Sequence, residues 1–224
     1  MIVVKKGKEP NSLVEFRLQY PDADYESDIP TNVLKDIREQ MWEDQGGLCG
    51  YCMKKIRYSR DVRVEHCRPR HPKGEGKHDN KTTLDFKWML GVCYGNSLKR
   101  GRPEDRTCDA HRGNAELTIN PFDILSVRKI KYRADGSIYS DDIEIDKDVT
   151  ETLNLNCQAL SLPQTRKSVL MAEKARIMKK CKGKSRAAFI NELKRTYDSL
   201  VQERNLTPYC GIIISWLERE LKIS

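Results

Sequence analysis

No apolar stretch in this chain approaches the ~20 residues that a membrane-spanning helix needs, and no internal repeat divides it. Its first residues, Met1-Ile2-Val3-Val4-Lys5-Lys6, hold too short an apolar run for a secretory signal, and the lysines follow that run instead of preceding it. These absences point to a cytoplasmic chain with no membrane partner. Also missing is an array of aromatic residues of the kind that stacks on single-stranded nucleic acid. What the chain does have is charge and thiols. Charged residues make up 33% and mean hydropathy is -0.70, yet 38% hydrophobic residues suffice for a modest core. The length, 224 residues, fits one large domain or a core domain with a small accessory one.

Net charge is +8, from 41 basic and 33 acidic residues. Alone, such an excess describes a soluble basic surface. Its placement says more: Lys54, Lys55, Arg57, Arg60, Arg63, Arg68, Arg70, Lys73, Lys77, Lys81 and Lys87 crowd around Glu65-His66. Basic residues there suit phosphate neutralisation without base readout.

Eight cysteines in a cytoplasmic chain are expected to stay reduced, so Cys49-Gly50-Tyr51-Cys52 reads as metal-binding or redox-active. No βαβ pattern surrounds it, which disfavours a thioredoxin-like unit. Zinc takes four soft, tetrahedrally placed ligands. Cys49 and Cys52 supply one pair, and Cys93 with Cys108 the other, separated by a basic insertion that includes Lys99, Arg100, Arg102 and Arg106. The competing possibility is that Cys93 or Cys108 is merely buried, with Cys67 as substitute ligand. Cys157, Cys181 and Cys210 lie in or beside apolar helical stretches and read as ordinary buried thiols.

The expected architecture is α+β. Residues 1–30, with Pro10, Pro21, Pro30 and an acidic patch, form an arm or partner-binding segment. A helix starts at Thr31, read as its N-cap, with Val33, Leu34, Ile37 and Met41 on one face, and stops at Gly46-Gly47. The span 31–114 is a small metal-stapled core, rich in Cys, Gly, Pro and charge, that includes a mobile polar loop over 71–83. Leu84–Val92 leads to Cys93 as a strand or helix. Residues 115–162 read as a β-rich extension, with Val127–Arg133 and Ser137–Tyr139 joined by a turn at Asp135-Gly136. Residues 163–224 are helical, with Ser185 capping a helix that carries Phe189, Leu193, Tyr197 and Leu200, and a last helix over Gly211–Leu221.

The run Val62-Arg63-Val64-Glu65-His66-Cys67-Arg68-Pro69-Arg70 holds the reactive pair. Phosphodiester hydrolysis needs an activated water, charge neutralisation at phosphorus and a stabilised leaving oxygen. A divalent ion such as Mg²⁺ supplies the last two, and a histidine near neutral pKa can take the water's proton. On a regular strand Glu65 and His66 point to opposite faces, so their convergence requires a bend at Pro69. A third group must then complete the metal site. Asp109 is the preferred candidate over Asn96, because a carboxylate is the better hard ligand; Arg112, with Arg68 and Arg70, would bind phosphate. His111 is an alternative reactive group, and His71 and His78 read as exposed loop residues.

Taken together, Gly47-Leu48-Cys49-x-Tyr51-Cys52, Val64-Glu65-His66-x-x-Pro69-Arg70, Met89-Leu90-Gly91-Val92-Cys93-x-Gly95-Asn96 and Cys108-Asp109-x-x-Arg112-Gly113-Asn114 resemble the HNH (ββα-metal) endonuclease superfamily. With Leu117–Phe122 and Leu153–Asn156 added, the resemblance narrows to the PtuB-type HNH subunits of Septu anti-phage systems, also found as retron effectors. It implies a zinc-stapled ββα-metal core and a structural Zn²⁺ on Cys49, Cys52, Cys93 and Cys108. It further implies a catalytic Mg²⁺ or Mn²⁺ on Glu65 and Asp109, with His66 as general base. The implied partners are a PtuA-type ATPase, nucleic acid (DNA, or RNA such as tRNA) and, in the retron setting, a reverse transcriptase with its msDNA. Many such proteins place an Asn about five residues before the third cysteine; here that position is Trp88, leaving Asp85 or Asn80 to brace the loop. A non-catalytic zinc-stapled binding module and a purely structural adaptor are the competing readings.

Overall fold

The computed structural model describes residues 1–70, 83–97, 102–202 and 206–223. Within them the protein is a mixed α+β fold with two small antiparallel sheets. Helix α1 (Asn11–Gln19) is followed by α2 (Thr31–Asp44), then by strands β1 (Arg63–His66) and β2 (Met89–Val92). A single helical turn, α3 (Asp109–Arg112), and α4 (Ile124–Arg128) precede the β3 (Ile130–Tyr132) and β4 (Ile138–Ser140) pair. Helices α5 (Ile143–Lys147), α6 (Leu162–Lys180), α7 (Arg186–Gln202) and α8 (Cys210–Leu221) complete the chain. Among the described residues no helix is long and apolar enough to cross a membrane.

Helix α2 buries Val33, Ile37 and Met41, one side chain per turn, and the positive φ of Gly46 and Gly47 stops it. Its cap is Pro30, not Thr31, and Leu34 is only half-buried. Just beyond the helix, the buried Gln45 amide donates to the carbonyls of Leu48 (2.8 Å) and Gly91 (2.7 Å), while its oxygen accepts from Gly91 N–H (2.7 Å). That fully satisfied amide fixes the end of α2 to β2. Strands β1 and β2 pair with Glu65 opposite Leu90 and His66 opposite Met89. The segment before β2 is a 3-10 turn at Phe86–Trp88, capped by the Asp85 carboxylate, so Leu84–Val92 is turn and strand together.

The first 30 residues are not a free arm. Leu13 and Phe16 of α1 are buried, Val4 N–H donates to Pro121 C=O (2.9 Å), and Arg17 Nη1 donates to Leu84 C=O (3.0 Å). Lys6 Nζ lies over the Phe86 ring and donates to Met89 C=O (2.8 Å). The segment therefore backs the approach to β2. Residues 115–162 hold less strand than their alternation suggests. Val127 and Arg128 belong to α4, because Asp123 caps a helical turn there, and only Ile130–Tyr132 and Ile138–Ser140 pair. Gly136, at φ +87°, is required at this hairpin's tip, where a Cβ would stand 2.0 Å from Pro163 C=O. Arg166, 1% exposed, ties hairpin to helices through Gly136 C=O (2.6 Å), Leu155 C=O (2.9 Å) and Asn156 Oδ1 (2.9 Å). The helical end falls as its pattern indicates: Ser185 Oγ caps α7 at Ala188 N–H, and α7 buries Leu193 and Leu200. One core runs from Met1 to Leu217 through all these segments. Histidines 71 and 78, Asn80, Lys73, Lys77, Lys81, Lys99, Arg100 and most of the 71–83 loop lie outside the described residues.

Candidate functional site

Cys49, Cys52, Cys93 and Cys108 converge, with all four sulfurs within 4.8 Å of one another. Two knuckles create the convergence. In the first, Cys49 N–H donates to Lys54 C=O and Met53 N–H to Cys49 C=O (both 2.9 Å), folding the Cys49–Cys52 turn back on itself. In the second, Gly95 (φ +52°) and Asn96 (φ +69°) turn the chain, and Thr107 N–H donates to Gly95 C=O (3.0 Å). A Cβ at Gly95 would stand 1.9 Å from the Thr107 carbonyl oxygen, so only glycine permits this closure. Cys108 is then set by its N–H bond to Leu153 C=O (2.8 Å).

The Sγ–Sγ separations are 3.8 Å for Cys49–Cys108, 3.8 Å for Cys52–Cys93 and 3.9 Å for Cys93–Cys108. A disulfide needs about 2.05 Å. Four thiolates at about 2.3 Å from a tetrahedral zinc lie about 3.8 Å apart, which the observed spacing matches. Hydrogen bonds from Cys108, Cys49 and Cys52 draw the Cys93 thiol well below the ordinary range, while the other thiols and burial push Cys108 well above it, so Cys93 is the sulfur that gives up its proton first. The four residues form a site able to hold a metal ion such as zinc. Cys67 is outside this group, and burial pushes its thiol up to about 12. Cys157 and Cys210 are buried thiols; Cys181 is half-buried.

Exposed Arg63 and buried Glu65 share one face of β1 by strand alternation, and both meet α3. Arg63 Nε pairs with Asp109 Oδ2 (2.7 Å), and Asp109 is close enough to Glu65 for the two carboxylates to disfavour each other's charge. Glu65 Oε1 accepts from Tyr51 O–H (2.9 Å) and from Arg112 Nη1. Burial pushes the Glu65 carboxyl up to about 7; Arg112 opposes that shift and Asp109 adds to it. The structure thus brings Glu65 and Asp109 together. Among the described residues, no third histidine, cysteine or carboxylate joins them in a tight ligand cluster.

His66 is 5% exposed and takes different partners. Its Nε2 lies 2.8 Å from the Thr83 carbonyl oxygen, and Tyr25 packs edge-on with ring centroids 4.5 Å apart. A carbonyl only accepts, so Nε2 carries the proton and Nδ1 is the free lone pair of the neutral ring. Burial, opposed by the Thr83 bond and aided by Arg70 and Arg112, lowers the pKa to about 4, below the near-neutral value expected from the sequence, so the ring is neutral at pH 7 but a weaker base than a free imidazole. The Thr83 carbonyl holds the ring; Asp85 instead caps the 3-10 turn, and Trp88 serves through its backbone, accepting from Cys67 N–H (2.9 Å).

Arg112 does not face a phosphate. Its side chain is 1% exposed, and its donors go to Ala115 C=O (2.7 Å), His66 C=O (2.9 Å), Cys67 C=O (3.0 Å), Tyr51 Oη (3.4 Å) and Glu65. It clamps the end of β1 to α3, a role its place three residues after Asp109 could not disclose. Asn96 donates to Asp105 C=O (3.2 Å) within the second knuckle, and His111 Nδ1 lies 3.1 Å from Thr152 C=O; neither is directed at Glu65. Arg68 is exposed with its guanidinium 3.9 Å from the Trp88 ring centre, whereas Arg70 pairs with Glu26 (2.6 Å). Sequence reasoning missed Tyr51, Thr83 and Tyr25. Only Tyr51 had a signal, its position between the first two cysteines. No protein-family model matches the chain, and no curated protein matches it either.

Proposed function

We propose that this protein is a metal-dependent endonuclease of the HNH type, hydrolysing nucleic-acid phosphodiesters. The observation that carries the reading is the end of β1, where Glu65, close to Asp109 of α3, is followed directly by the tautomer-fixed neutral His66. Glu65 and Asp109 offer hard oxygen donors, suited to Mg²⁺ or Mn²⁺ as the thiol cluster is suited to zinc. The fit is also electrostatic: two neighbouring carboxylates, one with its pKa raised by burial, are relieved by a divalent cation. Bound there, the cation would supply charge neutralisation at phosphorus and at the leaving oxygen.

The chain's own residues supply the rest. His66 Nδ1 takes the proton of the attacking water, while Thr83 C=O holds Nε2–H and steadies the imidazolium that forms. Arg68, stacked on Trp88 and free of a carboxylate partner among the described residues, is the cation best placed to meet a phosphate. Arg63 and Arg112 balance the carboxylates. The motif resemblance extends the proposal to an effector of an anti-phage defence system that works with an ATPase partner.

A second reading has an observation of its own. Glu65 is already bonded to Arg112 and Tyr51, which suits a non-catalytic zinc-stapled module whose buried ion pair is structural. Incubating supercoiled plasmid and total tRNA with Mg²⁺ or Mn²⁺, with and without the ATPase, separates the two. Cleavage by wild type that disappears in His66→Ala, at unchanged zinc content, is the expected result. Equal activity in that variant overturns the proposal, and no cleavage under any of these conditions favours the binding module.

A further inference from the structure

The positive charge is concentrated in two stretches. Residues 51–112, which hold the proposed site, carry 16 basic and 8 acidic residues. Residues 162–202, which span α6, the following turn and α7, carry 11 basic and 3 acidic. The remainder of the chain has 14 basic and 22 acidic residues and would repel a polyanion. The second basic stretch takes no part in the site described above.

Its density peaks at the turn. Lys179, Lys180, Lys182, Lys184 and Arg186 fall within eight residues that include no acid, and all five are exposed. Lys180 is tied to Glu192 (2.8 Å), whereas Lys179, Lys182, Lys184 and Arg186 make no ion pair among the described residues. Gly183, at φ +74°, turns the chain, and the fully buried Ile177 and Leu193 pack within the helices behind it. The neighbouring cleft of about 360 Å³, lined by α6, α7 and α8, is not part of this cationic surface, because Glu173 and Glu192 there pair with Arg176 and Lys180. Four unpaired cations held on a firm support repel one another, a cost that a polyanion removes.

The chemistry of the turn favours nucleic acid over an acidic protein. Protein interfaces are anchored by buried aromatic residues and arginine and are poor in lysine. Here four lysines and one arginine alternate with Cys181, Gly183 and Ser185, and no aromatic side chain lies among them. Lysine point charges suit a phosphate backbone, where released counterions drive association.

We infer that the α6–α7 turn is a second, sequence-independent phosphate-backbone contact, gripping nucleic acid away from the site of cleavage. The choice of ligand rests on the endonuclease reading; the surface itself is independent of catalysis. The test uses the full chain carrying Lys179→Gln, Lys182→Gln, Lys184→Gln and Arg186→Gln. Fluorescence anisotropy with a short duplex DNA and with single-stranded RNA is followed across NaCl concentrations, without added divalent cation. Loss of four contacts lowers the slope of log K against log salt by about 3.6 on duplex and about 2.8 on single strands.

His66→Ala is expected to keep the wild-type slope, so failure of the nuclease reading and failure of this one are read separately. Should the quadruple variant misfold by circular dichroism, Lys184→Gln alone must still lower the duplex slope by about 0.9. Unchanged slope and affinity in a folded variant overturn the inference. So does a variant that loses binding to polyglutamate but keeps nucleic acid, which would assign the turn to an acidic protein.

Discussion

Replacing Arg112 with methionine tests the electrostatic account of the site most directly. Methionine keeps much of the volume and removes the charge together with every donor. Two losses follow, and pH separates them. The first is the set of buried carbonyls at His66, Cys67 and Ala115, each left without its partner. At roughly 1 kcal/mol or more each, they cost about 3 kcal/mol at any pH. The second is the charge balance of Glu65.

With Arg112 in place the folded-state pKa of Glu65 is about 7, above the ordinary carboxylate value of 4.5. The folded protein therefore binds more protons than the unfolded chain between those values, and this group's contribution to stability falls as pH rises through 4.5 to 7. Removing the cation raises the folded pKa further. Below pH 7 both proteins hold Glu65 protonated and the charge effect vanishes. Above pH 7 the variant loses an additional ~1.4 kcal/mol per pH unit until its own pKa is passed. Urea unfolding of the zinc-loaded protein at pH 6 and pH 8 should show destabilisation of about 3 kcal/mol, rising to between 4 and 5. Adding Glu65→Gln to the variant should flatten that pH dependence while keeping the loss from the carbonyls. A deficit under about 1 kcal/mol, or one equal at both pH values with Glu65 present, would refute the assignment of Arg112 as a clamp on a buried carboxylate.

Three further outcomes follow from the geometry. Metal analysis of purified protein should find one tightly held zinc per chain; Cys49→Ser or a strong chelator should remove it and unfold the 48–113 region, as read by circular dichroism, since metal binding is folding energy in such knots. Gly95→Ala should lower zinc retention and stability by at least about 2 kcal/mol, because it combines a positive φ with a 1.9 Å approach to Thr107 C=O; a thermal melt identical to wild type would contradict the second knuckle. Arg166→Met should cost about 2 kcal/mol by leaving the Gly136 and Leu155 carbonyls unsatisfied, while Asn156 Oδ1 keeps its bond from Ile138 N–H, and urea titration would register the loss without change in zinc content.

Local rules carry some of this protein without help. A two-residue gap between cysteines brings both sulfurs to one point whatever surrounds them, so Cys49 and Cys52 were legible as a ligand pair. Helix α2 was legible because Val33, Ile37 and Met41 repeat at the helical period and Gly46-Gly47 ends it, and Ser185 marked α7 because its hydroxyl has a backbone N–H to accept from. Cys93 and Cys108, by contrast, become partners only because Gly95 and Thr107 close a long insertion. Residues 1–30 look unstructured in sequence because α1 is too short to show a period; Leu13 and Phe16 are ordered by burial against the rest of the core. Val127 alternates like a strand residue, yet the Asp123 cap places it in a helix.

At the reactive centre the division is sharper. Sequence alone set which side chains exist at the end of β1 and the alternation that separates Glu65 from His66. Only the tertiary structure decided that Asp109 reaches Glu65, that Thr83 fixes the histidine's tautomer, and that Arg112 is a buried clamp facing no solvent. The physical reason is range. Propensity, capping and ligand spacing act over a few residues, whereas burial, desolvation and charge pairing depend on which distant segments share one dry interior.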